Sequence, residues 1–195
     1  MRSTLYARRD PYQLMIYLGM LGSALIFLFL SVVYVLRKGG AQWETFALPR
    51  IFWLTTAAIM ISSFTLTAAR RAFHREKFLT YRLLLSATFV LALVFAVGQV
   101  LGGQQLLEEG ITLQGNTAGA FVYLFSGLHL AHVLGGMLVV AYALVDGWRH
   151  HHYVDSFLQT LNPVKVSRLR LVNLYWHFVD VLWLYLFGFL LYHQL

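Results

Sequence analysis

Leu171–Leu191 reads LVNLYWHFVDVLWLYLFGFLL, an apolar run interrupted by Asn173, His177 and Asp180. It is long enough to cross a bilayer as a helix, which needs about 20 residues. Ionisable side chains at that depth are costly, so they normally have a partner or a task. Within the run, Trp176, Asp180, Trp183 and Phe187 follow i, i+4, i+7, i+11, which is one helical face. His177 lies three residues from Asp180, close enough on a helix to interact with it.

Four more runs have the same character: Tyr12–Leu36, Ile51–Ala69, Leu83–Leu101 and Ala118–Val145. The whole chain is 59% hydrophobic and 12% charged. Soluble domains carry about 25% charge, so this chain cannot cover a soluble surface. The expected fold class is all-α: one integral membrane domain over residues 1–195, a bundle of five transmembrane helices with no soluble domain. The first run follows Arg2, Arg8 and Arg9 but exceeds the apolar core of a signal peptide, about 7–15 residues, and reads as a retained helix.

The net charge of +7 does not point to nucleic acid, because the basic residues sit in short loops. With five spans, the N-terminus, the second loop (Arg70 to Arg82) and the fourth loop (Arg149 to Arg170) share one side. That side holds twelve of the fifteen Lys and Arg residues; Arg37, Lys38 and Arg50 are on the other. The positive-inside rule places the N-terminus in the cytoplasm and the C-terminus outside. Tyr12, Tyr17, Trp43, Trp53, Tyr81, Trp148 and Tyr192 fall near span ends and read as interfacial anchors. The basic second loop should lie against anionic headgroups.

Cysteine is absent, which removes disulfides and thiolate chemistry. The fourth run carries His129 and His132 on one face, continued by Gly136, opposite a stripe of Gly127, Ala131 and Gly135. Small residues every four positions let a second backbone approach closely, so this helix is expected to have protein on both sides. Thr55, Thr56, Ser62, Ser63, Thr65 and Thr67 give the second run hydroxyls that can bond back to helical carbonyls. Buried Asp180 needs a partner, with His177, His129 or His132 as candidates.

Three readings of these polar groups stand. His177 could pair with His129 or His132 as axial haem ligands, making a haem-b membrane cytochrome. The His-x-x-His pair with His177 and Asp180 has the ligand types of a metal site. Or the groups form a structural network between packed helices. His150-His151-His152 in the fourth loop reads as a solvated run or a weak metal site. No nucleophile–base pair, phosphate-binding loop or internal repeat of the transporter kind is visible.

Two motifs resemble a known family. Tyr175-Trp176-His177-Phe178-Val179-Asp180, followed by Trp183, is similar to the last-helix signature of subunit III of the haem–copper terminal oxidases. Ser126-Gly127-x-His129-x-x-His132-Val133-x-x-Gly136 is similar to the signature of the helix before it, and Ser62-Ser63 and Gln99 resemble lesser marks. The resemblance covers essentially the whole chain and implies the five-helix form, lacking the first two helices of the usual seven. That form keeps the N-terminus inside.

The resemblance further implies an accessory, non-redox subunit of a cytochrome c oxidase in a bacterial-type cytoplasmic membrane. It would pack on subunit I, beside subunit II, bind phospholipid and support proton uptake. It implies no catalytic, metal or cofactor-binding residue on this chain; haem and copper belong to partner subunits. His129, His132, Trp176, His177 and Asp180 would be buried polar or lipid-cleft residues. A quinol oxidase subunit and the related nitric oxide reductase accessory protein are near alternatives. Three family carboxylates are missing: one from the first span, one before Tyr175, where Arg168-Leu169-Arg170 stands, and one after Gln99, where Leu101-Gly102-Gly103 stands.

Overall fold

The structure, a computed structural model, describes residues 11–40, 43–149, 157–158 and 160–194. The N-terminal arginines and His150-His151-His152 lie outside the described residues. Five long helices follow one another: α1 (Pro11–Arg37), α2 (Ile51–His74), α3 (Phe78–Glu108), α4 (Thr117–Arg149) and α5 (Pro163–Gln194). All five are long and apolar enough to cross a membrane. They contain every predicted span, and α3, α4 and α5 run past the apolar segments. At 1.5 Å per residue the 33 residues of α4 reach about 50 Å, beyond a hydrocarbon core of about 30 Å. The extensions carry Arg82, Arg149, Lys165 and Arg168.

The connections between helices close by local hydrogen bonding. After α2 the chain turns at Glu76 (φ 59°), with Glu76 N–H donating to Phe73 O and Lys77 N–H to Ala72 O. After α3 the same pair of bonds forms around Gly110 (φ 81°), where Ile111 donates to Leu106 O and packs, buried, beside Leu106. This is the helix-ending turn that needs a left-handed residue, which glycine adopts without steric cost. Asn116 Oδ1 caps α4 by accepting from Ala118 and Gly119 N–H, and Asn162 Oδ1 accepts from Val164 N–H just after Pro163 opens α5.

Helices α2, α3, α4 and α5 form a ring in which each packs on two neighbours, while α1 lies outside against α4 and α5. The difference is large: 11% of the apolar segment of α1 is buried, against 44% for α2 and α5. The core is aromatic and aliphatic, with Phe52, Ile59, Leu66, Leu85, Phe95, Phe125 and Trp183 sealed from solvent. Outward-facing positions such as Phe29, Phe64 and Leu138 are equally apolar, as expected where the surroundings are lipid.

Close packing depends on glycines that the sequence reading did not single out. A Cβ on Gly98 would collide with Thr55, and one on Gly102 with the Phe52 ring, so α3 lies against α2 through a glycine pair four residues apart. Gly136 lets Trp176 approach to 3.1 Å of where its Cβ would be. The predicted stripe behaves differently. Cβ atoms built on Gly127 and Gly135 would meet nothing within 4 Å, and Ala131 is exposed. Among the described residues, nothing fills the space over the two glycines, because the packed face of α4 is the one bearing Val133, Gly136 and Val140. Tyr81 also departs from its expected role: it is buried against Phe73 rather than placed at an interface. Trp53, Trp148, Tyr17 and Tyr192 are exposed, as anchors should be.

Candidate functional site

The polar groups that the sequence places inside apolar helices converge mainly on one seam, between α2 and α5. The two helices are antiparallel, so ascending α2 means descending α5. Trp183 Nε1–H donates to Thr56 Oγ1 (2.9 Å), and Trp176 Nε1–H donates to Ser62 Oγ (3.0 Å). At the next position of each helix His177 meets Ser63 through Nδ1 (2.5 Å), and it reaches Thr67, one turn on, through Nε2 (2.9 Å). Thr67 also donates to Asn173 Oδ1 at 3.4 Å. Trp176 and Trp183 are seven residues apart on α5 and their acceptors Ser62 and Thr56 six apart on α2, close to two turns in each helix, so both rungs form together.

The hydroxyls work in two directions. Thr56 Oγ1–H donates to Phe52 O (2.6 Å) and Ser62 Oγ–H to Ile59 O (2.6 Å), inside their own helix. Their lone pairs are then free for the indole N–H groups of α5. Thr55 does the same, donating to Phe52 O while accepting from Gln99 Nε2–H of α3 (3.1 Å). Each hydroxyl therefore satisfies a backbone carbonyl and ties two helices, where an unmet N–H would cost about 1–3 kcal/mol. At His177, the Thr67-to-Asn173 bond assigns the ring proton to Nε2, leaving Nδ1 to accept from Ser63.

The predicted pairing of Asp180 with a histidine does not form. Asp180 is 5% exposed, and neither carboxyl oxygen has a hydrogen-bond partner. The Ser63 hydroxyl lies close enough to act on the carboxyl, short of hydrogen-bond geometry. The reason is register: both nitrogens of His177 are turned to α2. The α4 histidines point elsewhere. His132 Nε2 meets Ser23 of α1 (2.9 Å) and its Nδ1 meets Leu128 O (2.8 Å). His129 is fully buried between Trp183 (ring centroids 5.0 Å) and Phe95 (5.7 Å), with both ring nitrogens unpartnered.

The histidines thus serve three different interfaces, and this geometry bears on the haem and metal readings. Among the described residues, no three His, Asp or Glu side chains converge as a metal site. The nitrogens of His132 and His177 already face hydroxyls and a carbonyl, and those of His129 face aromatic rings. Among the described residues, His129, His132 and His177 are not aimed in pairs at a common plane for a haem. The arrangement can join helices.

Two further polar places lie near the helix ends. Lys165 Nζ pairs with Asp146 at 2.8 Å beside Arg149, and Arg82, buried, lies under the Trp148 ring (6.0 Å). Between α3 and α4, a half-open cleft of about 170 Å3 is lined by Gln99, Tyr123, Ser126, Gly127 and apolar neighbours. Sequence reasoning marked Gln99 and Ser126 only as parts of motifs; their convergence depends on how α3 docks on α4.

Residues 14–194 match the family model for cytochrome c oxidase subunit III. This chain belongs to that family. A probable cytochrome c oxidase subunit 3 of Mycobacterium tuberculosis is 29% identical over 132 residues, 68% of this chain and 61% of the relative. The cytochrome c oxidase subunit 3 of Corynebacterium diphtheriae is 31% identical over 153 residues, 76% of this chain and 70% of the relative. A probable quinol oxidase subunit 3 of Staphylococcus haemolyticus is 29% identical over 149 residues, 76% and 69% of the two chains. The aligned region spans 61% of the length of the mycobacterial relatives. Of the two stretches that resemble subunit III signatures, the one in α5 carries Trp176, His177 and Trp183 of the seam, and the one in α4 carries His129 and His132, which serve other interfaces.

Proposed function

We propose that this chain is an accessory subunit III of a haem–copper terminal oxidase in a bacterial-type cytoplasmic membrane. It packs on subunit I within a complex that also holds subunit II, binds phospholipid, and sustains proton uptake without holding haem or copper itself. Its N-terminus faces the cytoplasm. The observation that carries this reading is the subunit III match over residues 14–194. The seam supports a scaffold role: Trp176, His177 and Trp183 have their ring N–H groups engaged in joining α5 to α2.

The test is a mild-detergent pull-down of the chain from its native membrane, with mass spectrometry and a haem spectrum. The expected result is co-purified haem-bearing subunits, and no haem on this chain after separation. Haem retained by the separated chain overturns the reading. A quinol oxidase is the second reading, favoured by staphylococcal quinol oxidase relatives at nearly the same identity as the cytochrome c oxidase ones. Assay of the purified complex with reduced cytochrome c and with a quinol separates the two.

A further inference from the structure

The cleft between α3 and α4 contains two polar groups with nothing to bond. Gln99 is 4% exposed, and its amide orientation is settled by α2: the Thr55 proton goes to Phe52 O, so the Thr55 oxygen accepts and Gln99 must offer it Nε2–H. Gln99 Oε1 is left as an acceptor without a donor. Across the cleft Ser126 Oγ is also unpartnered; unlike the α2 hydroxyls, it forms no bond back to its own helix. Both groups line the same opening, together with Gly127.

Gly127 is also the first residue of the unfilled stripe. From there Ala131 and Gly135 continue along the exposed face of α4, with open space where Cβ atoms would stand on the two glycines. A groove of small residues thus leads into a cleft whose buried end lacks a donor. Small residues at four-residue spacing admit a helix backbone, and a polar side chain from that helix can reach a buried acceptor.

We propose that this surface seats a transmembrane helix of another subunit, one carrying an N–H or O–H side chain that bonds Gln99 Oε1. The proposal rests on the reading of the chain as an oxidase subunit. A lipid tail fills the groove poorly in chemical terms. Acyl chains have no donor to give, whereas a polar residue of a facing helix does.

Photo-crosslinking amino acids placed singly at Gly127, Gly135 and Phe64, in the native membrane, test this. Phe64 is exposed on α2, across the ring. The expected result is that Gly127 and Gly135 capture one and the same transmembrane segment of another subunit, which Phe64 does not. Gln99→Leu should lower that capture, and Gln99→Glu, whose protonated carboxyl can donate to Thr55 and still accept through its second oxygen, should restore it. If the oxidase subunits co-purify but Gly127 and Gly135 capture only lipid or nothing, the seat is overturned and the subunit reading stands. If no oxidase subunit co-purifies with the parent chain, both fall.

Discussion

The α2–α5 seam and the α3–α4 cleft are built from similar residues and end in opposite states. Both contain serine or threonine inside apolar helices, and both have aromatic neighbours. In the seam, Thr56 and Ser62 donate to their own backbone and accept from Trp183 and Trp176. In the cleft, Gln99 Oε1 and Ser126 Oγ have no partner. Hydrogen bonds between helices in lipid are worth modest amounts, so satisfying a polar group matters chiefly by avoiding the penalty of leaving it bare. The seam avoids that penalty within one chain, whereas the cleft leaves it standing.

Substitutions can break this contrast, and the largest effect is expected where α3 meets α2. Gly102→Leu drives a side chain into Phe52, with backbone and aromatic ring both fixed, and is expected to cost about 3 kcal/mol. Thermal unfolding in detergent, read by circular dichroism, should show a large drop in midpoint. An unchanged midpoint would mean that α2 and α3 are not packed through that glycine.

Next in size is Ser62→Ala, which strands the Trp176 N–H and should cost about 1–2 kcal/mol. The double variant Ser62→Ala with Trp176→Phe removes both ends of the bond. A double-mutant cycle should therefore show coupling between the two positions, and strict additivity would deny the rung.

A smaller effect, of opposite tendency, is expected at Asp180. Its carboxyl has no hydrogen-bonded partner to strand, so Asp180→Leu should leave the separated chain at least as stable as its parent. A clear loss of stability would reveal a partner for the carboxyl. Ser126→Ala sits at the bottom of the series. With no bond to lose, it should stay within about 0.5 kcal/mol of the parent, in contrast to Ser62→Ala.

Much of the bundle was legible along the chain. Apolar length located all five long helices of the described residues. The histidines and Asp180 were recognised as buried or nearly so because charge is scarce at that depth. Their partners were not legible. Asp180 looked like a match for His177 because three residues on a helix make neighbours, yet the His177 ring turns to Ser63 and Thr67 of another helix. The Gly127–Ala131–Gly135 spacing reads as a helix-packing stripe, yet no described residue lies within 4 Å of where a Cβ would stand on either glycine. The close approaches formed instead at Gly98, Gly102 and Gly136.

The amino-acid sequence by itself determined the membrane class, the number of apolar helices, and which side chains share a helical face, because these depend only on composition and on the 3.6-residue repeat. It also carries the subunit III signatures. Only the tertiary structure decided which face meets which. In lipid, the outer surface is as apolar as the core, so hydrophobicity does not mark the inside of a helix. Ser62 and Trp176 are 114 residues apart, and their bond exists because α2 and α5 dock antiparallel in one register. The same docking leaves Gln99 Oε1 and Ser126 Oγ unbonded, because no helix of the ring stands opposite the α3–α4 cleft.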